Sequence, residues 1–218
     1  MTPPPRKQRS AGGAGLLVVI SGPSGVGKGA IVAGAGDRLP GLRRAVSATT
    51  RAPRAGEVEG KSYYFKSHDE FRRLRDAGEL LEWAQYLDDY YGTPRREAER
   101  DLAAGETLVF EVDVKGARSI RGLYPEAVLV FAAPPTWEAL AARLGARQSE
   151  TGDALTRRLE VARAELECAE EYDYVIINDR LADAVDLFRA IVRAEHARPQ
   201  RVDLNRLRAD ASRAKRTP

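Results

Sequence analysis

The chain is 218 residues long, 43% hydrophobic and 31% charged, with a formal net charge of +3. That balance excludes a chain that stays disordered throughout, and the length suits one α/β core with inserted subdomains better than two independent domains. The mild basicity suits phosphate-bearing ligands without arguing for nucleic acid. A single cysteine, Cys168, with only His68 and His196, excludes an intrachain disulfide and a zinc-ligand cluster.

Residues 1–13 mix Pro, Gly, Ser and basic side chains without periodicity and are expected to be a disordered tail. No apolar run approaches the roughly 20 residues of a membrane span, and the N-terminal stretch lacks the apolar segment of a signal peptide. A cytoplasmic protein with no membrane partner is expected.

The first apolar run, Leu16 to Ile20, reads as a buried strand. Directly after it comes Gly22-Pro23-Ser24-Gly25-Val26-Gly27-Lys28, followed by a helix from about Lys28. Glycines at these spacings let backbone N–H groups turn inward around phosphate oxygens, and Lys28 supplies a neutralising cation; the motif is a P-loop in its required strand-to-helix context. Position 29, usually a Ser or Thr that helps hold magnesium, is glycine, and position 30 is alanine. Gly34 and Gly36 weaken the following helix by about 1 kcal/mol each relative to Ala.

The interval from Val46 to Gly105 breaks the rhythm. It holds strand-like pieces at Tyr63 to Lys66 and Leu80 to Tyr86, a capping box at Ser67 to Glu70 and turn signals at Gly60 and Gly92, the marks of an inserted α+β subdomain. Beyond it the alternation resumes: strand Thr107 to Val112, helix Val114 to Leu123, strand Val128 to Ala132, helix Thr136 to Leu144, strand Tyr174 to Ile177 and helix Leu181 to Ala197. Between the last two strands, Arg143 to Arg158 is polar and arginine-rich, suiting a mobile cover over a phosphate site or an exposed helix pair. Residues 199–218 read as a basic, solvated tail with no aromatic interleaving for nucleic acid. Alternating strands and helices predict a parallel sheet whose ligands bind at the carboxyl ends of the strands.

With these motifs in hand, Val46-Ser47-Ala48-Thr49-Thr50-Arg51-Ala52-Pro53-Arg54-Ala55-Gly56-Glu57 resembles the signature of guanylate kinases. Tyr63-Tyr64-Phe65, Glu82-Trp83-Ala84, Tyr90-Tyr91-Gly92-Thr93, Glu111 to Ala117, Ala133-Pro134-Pro135, Arg147 to Thr151 and Val175 to Asp179 continue the match in order. The resemblance implies a P-loop nucleoside monophosphate kinase-like core (residues 14–45, 106–142 and 159–198), a GMP-binding subdomain (46–105) and a small helical lid (143–158). It implies ATP and GMP as substrates and Mg²⁺ with the ATP, with no protein side chain assigned to the metal. The residues do not choose between GMP and deoxy-GMP, or between monomer and homo-oligomer.

By the same resemblance, Arg51, Arg54, Tyr63 and Tyr91 would hold the GMP phosphate, with Glu57 from the same loop, and Ser47, Glu82, Thr93 and Asp113 would surround guanine. The P-loop from Gly22 to Gly29 and Asn178 would take ATP. Guanidinium forks match phosphate oxygens, and the Glu82 carboxylate can accept two bonds from guanine N1 and N2, where the corresponding adenine edge offers a donor beside an acceptor. The acceptor phosphate is already an anion, so catalysis needs no general base. Lys28, Arg51, Arg143, Arg147 and Arg158 are the cations expected to neutralise the transferring group. Two alternatives remain open: a noncatalytic interaction module of the same fold, and a P-loop kinase acting on another small phosphate ester.

Overall fold

The computed structural model describes residues 15–202 except 37, 87 and 146–151, together with 204, 205 and 208. Its centre is a five-stranded, wholly parallel sheet made of β1 (Leu16–Ser21), β2 (Leu42–Arg44), β7 (Thr107–Glu111), β8 (Val128–Ala133) and β9 (Tyr174–Ile177). The spatial order is β2-β7-β1-β8-β9. β1 is central, with Val18 in register with Val109 on one side and Val128 on the other, and all six of its residues are buried. That double burial is why the run is continuously apolar rather than alternating.

Successive side chains leave a strand on opposite faces, so one run feeds two cores. Leu16, Val18 and Ile20 pack with Ile31 and Val32 of α1 (Lys28–Gly36) and with Phe188, Ile191 and Val192 of α7 (Leu181–His196). Leu17 and Val19 pack on the other face with Phe110 and with Ala117 and Ile120 of α4 (Val114–Leu123). The predicted α1 forms despite its glycines: a Cβ on Gly34 would lie 2.8 Å from Val185 Cγ2, so glycine there lets α1 approach α7 closely.

The interval after β2 folds as a second, four-stranded sheet in the order β4-β3-β6-β5, from β3 (Ala48–Thr49), β4 (Tyr64–Phe65), β5 (Leu80–Tyr86) and β6 (Asp89–Pro94). The predicted capping box opens α2 (His68–Asp76), with Ser67 and Glu70 exchanging hydrogen bonds. α3 (Arg95–Ala103) returns the chain to the core, and Ala98 of α3 and Leu81 of β5 share the buried cluster of Leu17 and Phe110. The turn expected at Gly92 is absent. Gly92 lies inside β6, where a Cβ would sit 2.8 Å from the Glu82 carbonyl oxygen and 3.0 Å from Trp83 Cβ. The glycine serves close strand approach, not chain reversal.

β2 was not anticipated: three residues including Arg43 and Arg44 carry no strand pattern, and pairing with β7 at the sheet edge defines it. α5 (Trp137–Gly145), N-terminally capped by a Thr136 Oγ1 that accepts from the Ala139 N–H at 3.1 Å, leads to α6 (Gly152–Leu166). These helices meet through Leu140, Leu144 and Ala162, with Leu155 packed against them, so the polar interval contributes Leu144 and Leu155 to an apolar seam. After α7, Arg198 and Arg201 reach the buried Glu195, and Arg201 also donates to the Glu126 carbonyl at 2.9 Å. The start of the predicted solvated tail is therefore tied to the core. Residues 1–13 lie outside the described residues. No described helix is long and apolar enough to cross a membrane.

Candidate active site

The P-loop spans the carboxyl end of β1 and the first turn of α1, with Gly22, Gly25 and Gly27 at positive φ. Lys28 Nζ donates to the carbonyls of Gly22 at 2.5 Å and Pro23 at 3.1 Å, folding the cation back over its own loop. Three distant segments brace the turn. Asn178, just beyond β9, donates from Nδ2 to the Val26 carbonyl at 2.7 Å, and both Nη atoms of Arg143 donate to the Asn178 carbonyl at 3.1 and 3.2 Å. Arg158 of α6, only 7% exposed, donates from Nη2 to Ser24 Oγ at 2.8 Å. Two residues expected at the ATP phosphates or adenine, Arg143 and Asn178, thus hold the loop's shape, while Arg158 touches the loop directly. Arg147 lies outside the described residues.

One cavity runs from this loop into the insertion. Gly22, Ser24 and Lys28 line its near end, and Ser47, Tyr63, Glu82, Tyr91 and Asp113 line the remainder. Glu82 and Thr93 are opposed across β5 and β6, and Thr93 Oγ1 donates to Glu82 Oε1 at 2.9 Å. The Glu82 carboxyl, 7% exposed, is pushed up to about 7 by burial, with the Asp113 charge adding to the shift and the Thr93 bond opposing it. Asp113 caps α4 by accepting from the Gly116 N–H at 2.7 Å. A buried carboxyl whose remaining lone pairs face a cavity suits a ligand edge that presents N–H donors.

At the other wall, Tyr63 and Tyr91 meet edge to face with centroids 6.2 Å apart, and the Arg51 guanidinium lies 5.3 Å from the Tyr63 ring centre. Arg51 Nη2 donates to both oxygens of Glu57, at 2.7 and 2.9 Å, and Glu57 also accepts from the Arg54 N–H at 2.7 Å. Glu57 therefore organises the arginine loop instead of facing the cavity, Arg51 is held by it behind Tyr63 and outside the lining, and the Arg54 side chain is exposed and outside the lining too.

Two further carboxylates of the lining, Glu111 and Glu165, were given no site role by the sequence reading. Glu111 ends β7 beside the P-loop strand and pairs with Arg44 Nε at 2.9 Å; burial raises its carboxyl, against the opposing charges of Arg44 and Lys28. A Cβ on Gly29 would lie 3.2 Å from Glu111 Oε2, so this carboxylate stands over the position where a P-loop hydroxyl is missing. Its place at the carboxyl end of a central strand was the available signal. Glu165 lies on α6 two turns beyond Arg158, and only packing reveals it. Among the described residues no group of three His, Cys, Asp or Glu could hold a metal ion unaided.

Thr93 lies outside that lining and acts on it only through Glu82, so a phosphate-binding turn and a buried carboxyl share one cavity, an arrangement suited to two nucleotides meeting end to end. The family described as guanylate kinase matches residues 15–195. The curated guanylate kinase of Symbiobacterium thermophilum is 49% identical over 187 residues, 86% of this chain and 89% of that protein. The guanylate kinase of Nocardia farcinica is 51% identical over 174 residues, 79% and 90% of the two chains. The crystal structure of guanylate kinase from Anaplasma phagocytophilum superposes with a TM-score of 0.73 at 33% identity, covering 90% of this chain and 95% of that one. With sequence, fold and cavity in agreement along almost its whole described length, the chain belongs to the guanylate kinase family.

Proposed function

We propose that the protein transfers the γ-phosphate of ATP to GMP, giving ADP and GDP. The observation that carries this reading is the buried Glu82, held by the Thr93 hydroxyl, in the same cavity as Lys28 and the P-loop. Guanine N1–H and N2–H answer the free oxygen positions of Glu82, whereas the matching edge of adenine would set an acceptor against them. Ser47 and Asp113 complete the base end, and Tyr63, Tyr91 and Arg51 stand where the acceptor phosphate would lie.

Because the acceptor oxygen is already anionic, the chain's work is alignment and charge neutralisation. Lys28 would leave the Gly22 and Pro23 carbonyls for the donor phosphates. Arg158, already on Ser24, would meet the charge that spreads over the transferring group. Magnesium bound with ATP would supply further charge neutralisation at the donor phosphates. The donor set fits an ion held mainly by phosphates and water, with Glu111 available to hold a bound water, since Gly29 and Ala30 offer no hydroxyl. A noncatalytic interaction module would have no use for Lys28 and Arg158 converging on one loop.

The test is ADP release from ATP and Mg²⁺ with GMP, AMP, UMP or CMP as acceptor. Turnover with GMP far above the others is expected; equal turnover with AMP would overturn the assignment of Glu82.

A further inference from the structure

Glu165 is a carboxylate that the proposed reaction leaves without a task. It is half-buried on α6 and lines the cavity, and its carboxylate makes no hydrogen bond or ion pair among the described residues. Its surroundings bracket it. Lys28 at the phosphate end and Asp113 at the base end both act on its charge, and Asp113 acts in the same direction on Glu82. With the acceptor's base on Glu82 and its phosphate at Tyr63, Tyr91 and Arg51, turned toward the donor phosphates on Lys28, Glu165 lines the same cavity beside Asp113 and Lys28, within reach of the part of the nucleotide that joins base to phosphate.

We infer that Glu165 reads the sugar of the acceptor nucleotide, accepting a hydrogen bond from the ribose diol. The inference rests on the acceptor reading above and deepens it. Chemistry selects the hydroxyl over other ligand groups. A second phosphate would be repelled by Glu165, Asp113 and Glu111, which line one cavity together. The N–H edge of the base is already answered by Glu82. Burial pushes the Glu165 carboxyl up to about 7, with Lys28 opposing and Asp113 adding, so both protonation states are populated near neutrality. A hydroxyl both donates and accepts, and therefore satisfies either state. The seven residues from Arg158 to Glu165 are two helical turns, about 10 Å along one face of α6. A single rigid helix would then touch the donor's loop at one end and the acceptor's sugar at the other.

The experiment is calorimetric binding, without ATP, of GMP, 2′-deoxy-GMP and 3′-deoxy-GMP to the full chain and to its Glu165→Ala and Glu165→Gln variants. Wild type should lose about tenfold in affinity for at least one deoxy analogue, the loss expected for one hydrogen bond to a charged group. Glu165→Ala should weaken GMP by a similar factor, leave that same analogue unchanged and leave ATP binding unchanged, and Glu165→Gln should recover part of the loss. The inference is overturned if wild type binds both deoxy analogues as tightly as GMP, or if Glu165→Ala weakens all three nucleotides equally or weakens ATP instead. The wild-type comparison stands even where a variant fails to fold. If wild type binds no guanine nucleotide at all, the acceptor reading itself fails and the sugar assignment with it, a result distinct from tight binding that ignores the sugar.

Discussion

Replacing Glu82 by Gln should raise stability and lower affinity together. In the free protein the buried Glu82 carboxyl titrates at about 7 against an ordinary 4.5, so the fold holds its proton more tightly than the unfolded chain does. The sign follows: this group's contribution is fully present below pH 4.5 and is lost as pH rises through 7. Above pH 7 the ionised carboxylate costs as much as about 3 kcal/mol, and at pH 5 under about 1 kcal/mol. Gln keeps an oxygen for the Thr93 hydroxyl and carries no charge, so the melting temperature at pH 8 should rise by up to roughly 6–12 °C, and by much less at pH 5. GMP binding should fall by about tenfold to a hundredfold, because an amide N–H replaces one acceptor facing the base. Thermal unfolding at the two pH values and calorimetric GMP titration measure both arms. A variant that gains no stability at pH 8 relative to pH 5, or that binds GMP as wild type does, refutes the placement of Glu82 as a desolvated base-reading group.

Arg158→Lys keeps a cation but not the planar fork on Ser24; kcat should drop at least about tenfold with the KM for GMP nearly unchanged, and a rise in KM alone would contradict a charge-neutralising role. Gly92→Ala drives a Cβ into the Glu82 carbonyl and Trp83, so urea unfolding should show a loss of about 1–3 kcal/mol, and a neutral outcome would mean β5 and β6 separate freely. Ala30→Thr restores a hydroxyl after the P-loop lysine and should lower the Mg²⁺ concentration for half-maximal activity; no change would leave Glu111 as the protein's contact with the ion's waters.

What the sequence disclosed and what it hid separate along a physical line. β1, β7 and β8 were legible because burial on both faces writes a continuous apolar run. The P-loop was legible because its chemistry is local, each glycine and the lysine acting within one turn. β2 was hidden because an edge strand of three residues with two arginines takes its identity from β7 rather than from itself. Gly92 was misread because a close strand approach and a turn demand the same residue. Of the arginines, sequence chemistry alone made Arg54 and Arg143 equal candidates to Arg51 and Arg158; only packing separates an exposed loop side chain from a buried contact with Ser24. Glu165 carried no signal because a carboxylate on a helix is ordinary until the cavity in front of it is known.

The sharing of one buried cluster by Leu17, Phe110, Leu81 and Ala98 has a thermodynamic consequence. The insertion cannot melt away on its own, since losing β5 or α3 strips apolar cover from the central sheet. Unfolding should therefore be one cooperative transition rather than two. A nucleotide held only by the insertion then raises the melting point of the entire chain by mass action, and a ligand of the P-loop does the same. A simple thermal-shift titration thus reports occupancy of either end of the cavity through one and the same melting curve.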